Sequence, residues 1–217
     1  MWRSWCEVLT AVDHLLVGTA NLDQGIRWVH EQTGVTAAIG GSHPGWGTRN
    51  ALLSLGAEQY LEVIAPDLTQ TSYSFKIDVR TVSAPKLITW AARTTDLDAV
   101  ARQAKAAGHQ VFRPVEGWRV RPDGRRLAWR MLRLASTFAV DAVDPIPFFI
   151  EWSRDTVHPS FDAPQGCSLK ELRMTHPSAS AVTAVLKAVG IEIEVTTAVD
   201  ATIYATLDTP NGLVCLH

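Results

Sequence analysis

The sequence is poor in the features that usually announce a function. Its three cysteines, Cys6, Cys167 and Cys215, lie far apart and are odd in number. No CxxC spacing occurs, so neither a zinc knuckle nor a disulfide framework is predicted. The formal net charge of −2 leaves no electrostatic footprint for nucleic acid. The basic residues between Arg113 and Arg133 are interleaved with Trp118, Trp129 and Met131, the pattern of an alternating strand pair, with a local basic rim as the other reading. No apolar run reaches the roughly 18 residues of a membrane span. The start, "MWRSWCEVLTAVDHLL", lacks the basic opening and unbroken apolar core of a signal peptide. P-loop, GxGxxG, GxSxG and HExxH motifs are all missing. A reduced, cytoplasmic protein with no nucleic-acid or membrane partner is therefore expected.

What the sequence does contain is a core and a repeat. With 47% hydrophobic and 19% charged residues, 217 positions suffice for one large domain or two small ones. Eight tryptophans supply material for pocket walls as well as for packing. "VDHLLVGTANLDQGIRWVHEQTGV" reads as a short strand and an amphipathic helix, with Leu22, Ile26 and Val29 at helical spacing and Gly34 as the stop. Three strand-like runs follow, giving a βαβββ unit over residues 10–67. The order recurs over residues 85–160, where "TDLDAVA" aligns without a gap on "ANLDQGI". A third, shorter unit spans residues 167–217. Turn chemistry marks the joints: Pro66 with its polar follow-on, Asp123-Gly124, and "VHPSFDAPQG".

Within "YLEVI", Glu62 sits among Tyr60, Leu61, Val63 and Ile64. A carboxylate there either faces solvent on a one-sided strand or meets compensation inside, since burying it alone is costly. "FIEW" in the second unit carries Glu151 at what the alignment makes the matching place. Two acids at matched positions point to a shared site, with pairing to Arg49 or Arg130 as the other reading. If Tyr60, Glu62 and Ile64 face inward, Leu61 and Val63 face away.

A histidine on a first strand, His14, followed by a glutamate on the fourth resembles the ligand pattern of the vicinal oxygen chelate superfamily. The motifs "DHLLVGTANLD", "GGSHPGWGTRNALLSLGAEQYLEVIAPD", "TWAARTTDLDA", "VRPDGRRLAW" and "PFFIEWSRDTVHPS" look like its glyoxalase-like branch. The resemblance implies an α+β fold of repeated βαβββ modules closing a sheet-lined cup, and possible homodimers. It implies a divalent metal (Zn, Ni, Mn, Fe or Mg) held by His14, Glu62 and Glu151, with Glu62 or Glu151 as catalytic base. The fourth ligand position falls on Thr89, which departs from the four-ligand arrangement of glyoxalase I. The implied activity is that of a lyase, isomerase or dioxygenase on a small oxygen-rich substrate chelated to the metal. The alternative is a metal-free cup that sequesters a small molecule.

Further candidates come from the glycine-rich turn "HPGWGTRN", which offers His43, Trp46, Arg49 and Asn50 as substrate contacts or serves as turn chemistry alone. Asn50 is the best of these, because an amide early in a core-facing strand needs partners. Trp90, Trp129 and Trp152 are candidate cup walls or core residues, and His158 is a candidate cap or an ordinary loop residue.

Overall fold

The computed structural model describes residues 12–56, 58–120 and 123–217. The N-terminal stretch with Cys6, the first two positions of the 10–67 unit, and Arg121-Pro122 lie outside the described residues.

The first unit runs β1 (Val12–Gly18), α1 (Leu22–Thr33), β2 (Ala38–His43), β3 (Thr48–Ser54) and β4 (Tyr60–Pro66). Asn21 starts α1 by accepting the Gln24 N–H in its side chain, and Gly34 ends it at φ 76°, a left-handed conformation that suits glycine. The second unit runs β5 (Lys86–Arg93), α2 (Leu97–Ala106), β6 (Val115–Val120), β7 (Arg126–Arg133) and β8 (Phe148–Trp152).

These eight strands form one sheet in the order β2-β3-β4-β1-β5-β8-β7-β6. In each unit the first strand pairs in parallel with the fourth. The units join where β1 meets β5 antiparallel, with Leu16 opposite Thr89 and His14 opposite Ala91. Exchanging the halves therefore carries His14 onto Thr89 and Leu16 onto Ala91. The sheet curls until its two edges meet: Arg119 on β6 donates to the Gly40 carbonyl on β2 at 3.0 Å. Strand parity sorts the side chains. Leu15, Val17, Leu61 and Val63 join the core on the helix side, while His14, Leu16, Tyr60, Glu62 and Ile64 line the concave side. The segment between the units folds across one end of the cup, packing Ile77, Val79 and Val82 on Leu16, Ile64 and Ile88.

The C-terminal unit, β9 (Ser168–His176), α3 (Ala179–Ala188), β10 (Glu194–Thr197), β11 (Thr202–Thr209) and β12 (Gly212–Leu216), repeats the order of elements but not their pairing. Its sheet is ordered β10-β9-β11-β12, so its first strand pairs in parallel with the second rather than the fourth. Leu172, Met174, Ile203 and Leu207 enter the same core as Leu15, Leu61, Trp90 and Phe149. The small sheet thus covers the helix side of the large one, away from the cup. Among the described residues no helix is long and apolar enough to cross a membrane.

Candidate functional site

The cup encloses a cavity of about 290 Å³. Trp46, Tyr60, Trp129, Met131, Phe148, Ile150 and Trp152 make much of its wall, and His14, His43, Asn50, Glu62, Thr89 and Arg119 contribute polar atoms. Glu62 is 6% exposed, so its charge must be met inside. Oε1 accepts from Asn50 Nδ2 at 2.6 Å. His14 Nε2 lies 3.4 Å from Oε2, and His43 Nε2 lies 3.6 Å from Oε1. The Asn50 amide donates to the carboxylate, and an imidazole nitrogen of His14 and of His43 lies beside it.

Each of these groups is held from behind. His43 Nδ1 lies 2.9 Å from Thr48 Oγ1, and burial holds its imidazole below the ordinary histidine value, against the pull of Glu62. Asn50 is buried with Nδ2 also 3.2 Å from His43 Nε2, and its Oδ1 has no partner among the described residues. Gly40 makes room beside that oxygen, since a Cβ there would lie 2.3 Å from it. The His14 ring stacks on Tyr60 at 4.4 Å and meets the edge of Phe148 at 5.4 Å. Burial, reinforced by the Glu62 charge, pushes the Tyr60 phenol well above its usual value, so it stays protonated. His14 Nδ1 lies 2.7 Å from Asp13 Oδ1. Burial would raise the Asp13 carboxyl, but hydrogen bonds from His14 and His158 outweigh it and hold the group well below the carboxylate range.

The structure brings His14, Glu62, His43, Asn50, Trp46 and Trp129 to this cavity and places three expected residues elsewhere. Glu151 is not a partner of Glu62. Phe148 stands opposite Ala91 as Glu62 stands opposite Leu16, so Phe148 is the true counterpart of Glu62. Glu151 lies three positions further along, an odd step, and faces the other side of the sheet. There it pairs with Arg130 at 3.1 Å in a separate groove, its side chain 22% exposed. Trp90 is a core residue with no exposed surface, its indole N–H donating to the Pro145 carbonyl at 3.0 Å. Arg49 projects outward between inward-facing Thr48 and Asn50.

The expected metal set fails in the same way. Its four strand positions carry His14, Glu62, Thr89 and Phe148, of which a phenyl ring cannot ligate and a threonine hydroxyl ligates poorly. Among the described residues no three His, Cys, Asp or Glu side chains are placed to hold a metal ion. These residues do not fit the four-ligand arrangement.

Sequence reasoning missed Asp13, Arg119 and Phe148. Asp13 was visible as a charge inside an otherwise apolar strand, beside His14. Arg119 carried no signal beyond an alternating pattern, and Phe148 depends on a register that only the ladder reveals.

A family model described as a glyoxalase-like domain matches residues 12–190. No curated protein matches the chain. Among solved structures, a hypothetical protein from Staphylococcus aureus superposes with a TM-score of 0.65 at 17% identity, covering 94% of this chain and 83% of that one. Methylmalonyl-CoA epimerase from Mycobacterium tuberculosis is 21% identical with a TM-score of 0.45, covering 70% of this chain and 93% of its own. A Streptomyces coelicolor methylmalonyl-CoA epimerase variant is 19% identical with a TM-score of 0.47, covering 69% and 99%. The Staphylococcus aureus likeness, at 17% identity, speaks to the fold alone.

Proposed function

The chain belongs to the glyoxalase-like domain family of the vicinal oxygen chelate superfamily, and from that premise we propose that it binds a small molecule with a flat apolar body and one hydrogen-donating head. The observation that carries this reading is a buried carboxylate, Glu62, flanked by Asn50, His14 and His43 in a tryptophan-walled cavity. Sites of this make-up hold a ligand body by apolar contact and fix its orientation with a few placed polar groups. An ionised Glu62 is acceptor-only, while Asn50 Oδ1 is buried against Gly40 and turned from the cavity. The Glu62 carboxylate selects a head that donates, such as a hydroxyl or amine, and opposes an anionic one beside it.

Quenching of tryptophan fluorescence tests this with phenol, benzylamine, toluene and benzoate as probes. Phenol or benzylamine is expected to bind more tightly than toluene, and benzoate least. Glu62→Gln removes a hydrogen bond to a charged group, worth about 1.5–3 kcal/mol, so phenol affinity should fall roughly tenfold or more. Equal affinity for phenol and toluene, unchanged by Glu62→Gln, would falsify the reading.

His14 and Glu62, 3.4 Å apart, favour a second reading, in which a divalent ion is bound with help beyond the four strand positions and the protein is a metal-dependent lyase, isomerase or dioxygenase. Metal analysis of the purified protein separates the two. Stoichiometric metal that Glu62→Gln loses supports the second reading.

A further inference from the structure

Asp13 is fully buried on β1, and parity turns its side chain away from the cavity that the next residue enters. It nonetheless touches the cavity's polar pole through the His14 ring. Oδ1 meets His14 Nδ1 at 2.7 Å. Oδ2 meets three groups of the second unit: Trp152 Nε1 at 3.0 Å, Arg93 Nε at 3.3 Å and His158 Nε2 at 3.3 Å. Arg93 ends β5, Trp152 ends β8, and His158 follows in the loop, braced by Ser160 Oγ at 2.9 Å from its Nδ1. Four donors thus converge on one carboxylate. A carboxylate only accepts, so a His14 nitrogen facing it must be the one that carries a proton.

We infer that Asp13 is the positioning residue of the cup: it assigns the His14 proton to Nδ1 and so decides what Nε2 presents to Glu62 and to a ligand. Three donors on Oδ2 stop the carboxylate from rotating away, and the Tyr60 stack stops the ring from turning. The control over His14 stands on these contacts alone. Its consequence for ligand affinity rests on the reading proposed above.

The two oxygens have unequal company, which gives Asp13→Asn a definite outcome. The amide oxygen must take the Oδ2 place, where Trp152, Arg93 and His158 all donate. The NH₂ must then face His14, whose Nδ1 becomes the acceptor while the proton moves to Nε2. A substitution that preserves shape therefore inverts the hydrogen-bonding sense of the site, the tautomer effect known for a buried aspartate behind a catalytic histidine.

Two-bond ¹H–¹⁵N spectra of the ¹⁵N-labelled full chain, without ligand, read this directly. Wild type is expected to show a protonated His14 Nδ1, and Asp13→Asn a bare Nδ1 with the proton on Nε2. Trp152→Phe keeps the carboxylate and should leave the His14 pattern unchanged. A bare Nδ1 in the wild type, or a protonated Nδ1 retained in Asp13→Asn, overturns the inference. If Asp13→Asn does not fold, the wild-type and Trp152→Phe spectra still decide it. Phenol titration of the same samples adds the consequence, a loss of about two- to tenfold in Asp13→Asn, the worth of one neutral hydrogen bond. Swapped tautomers with unchanged phenol affinity leave the positioning role standing and count against the ligand reading.

Discussion

A titratable side chain held away from its ordinary state leaves a mark on stability, and His43 is one. Its folded pKa lies below the ordinary 6.5, chiefly through burial. The unfolded chain therefore takes up a proton, as pH falls below about 6.5, that the folded site refuses. Unfolding is then linked to proton uptake, and stability declines with falling pH through that window. Comparing urea midpoints at about pH 7.5 and about pH 5.5 should show the decline in wild type and a smaller one in His43→Gln. Asp13 acts on a lower window with the same sign: its depressed pKa supports the fold above the ordinary value of 3.8, and that support is lost as pH falls below it. Residues of this kind were partly legible. Glu62 stood out as a charge inside an apolar run, and His14 through the resemblance that pairs a first-strand histidine with a fourth-strand glutamate. Asp13 was in plain view, but only the arrival of Trp152 and His158, 139 and 145 positions away in sequence, gives it a role.

At the scale of elements, register decides which side chains meet. The first unit could be read because short turns connect β2, β3 and β4. In the second unit residues 134–147 separate β7 from β8, and no local pattern fixes how β8 slides along β5. "FIEW" was therefore matched to "YLEVI" by its glutamate, three residues out of place. The same unit shows what a glycine does for a wall. Gly117 pairs with Trp129 across β6 and β7, and the indole lies against it so closely that a Cβ would fall 2.4 Å from Nε1. Gly117→Ala should push Trp129 off the cavity, lowering stability by about 1–3 kcal/mol and weakening phenol binding, as denaturation and quenching would report. At α1, Asn21→Ala removes the cap on Gln24 and should cost about 1 kcal/mol with no change in binding.

For the whole molecule, one core passes between the two sheets. The recurring order of elements made three similar units look equivalent, yet the third is wired differently and covers the helix side of the others. Such pairing depends on contacts far apart in the chain and has no signature in the order of helices and strands. A shared core should melt as one. Leu207→Ala, on the small sheet and without exposed surface, is expected to cost about 2–5 kcal/mol. Tryptophan fluorescence, all of it from residues outside the small sheet, and far-ultraviolet circular dichroism should shift together. Separate transitions would show that the C-terminal unit folds on its own.

Phe148 standing where its counterpart in the first unit is an acid also gives the vessel a polarity. At that pair of positions a guest would meet a carboxylate on one side and a phenyl ring on the other, although the scaffold itself is nearly the same end for end. Of the two ways to insert a lopsided molecule, only one keeps its donor off the phenyl ring. Two broken pairs, Glu62 against Phe148 and His14 against Thr89, would together set how such a guest lies.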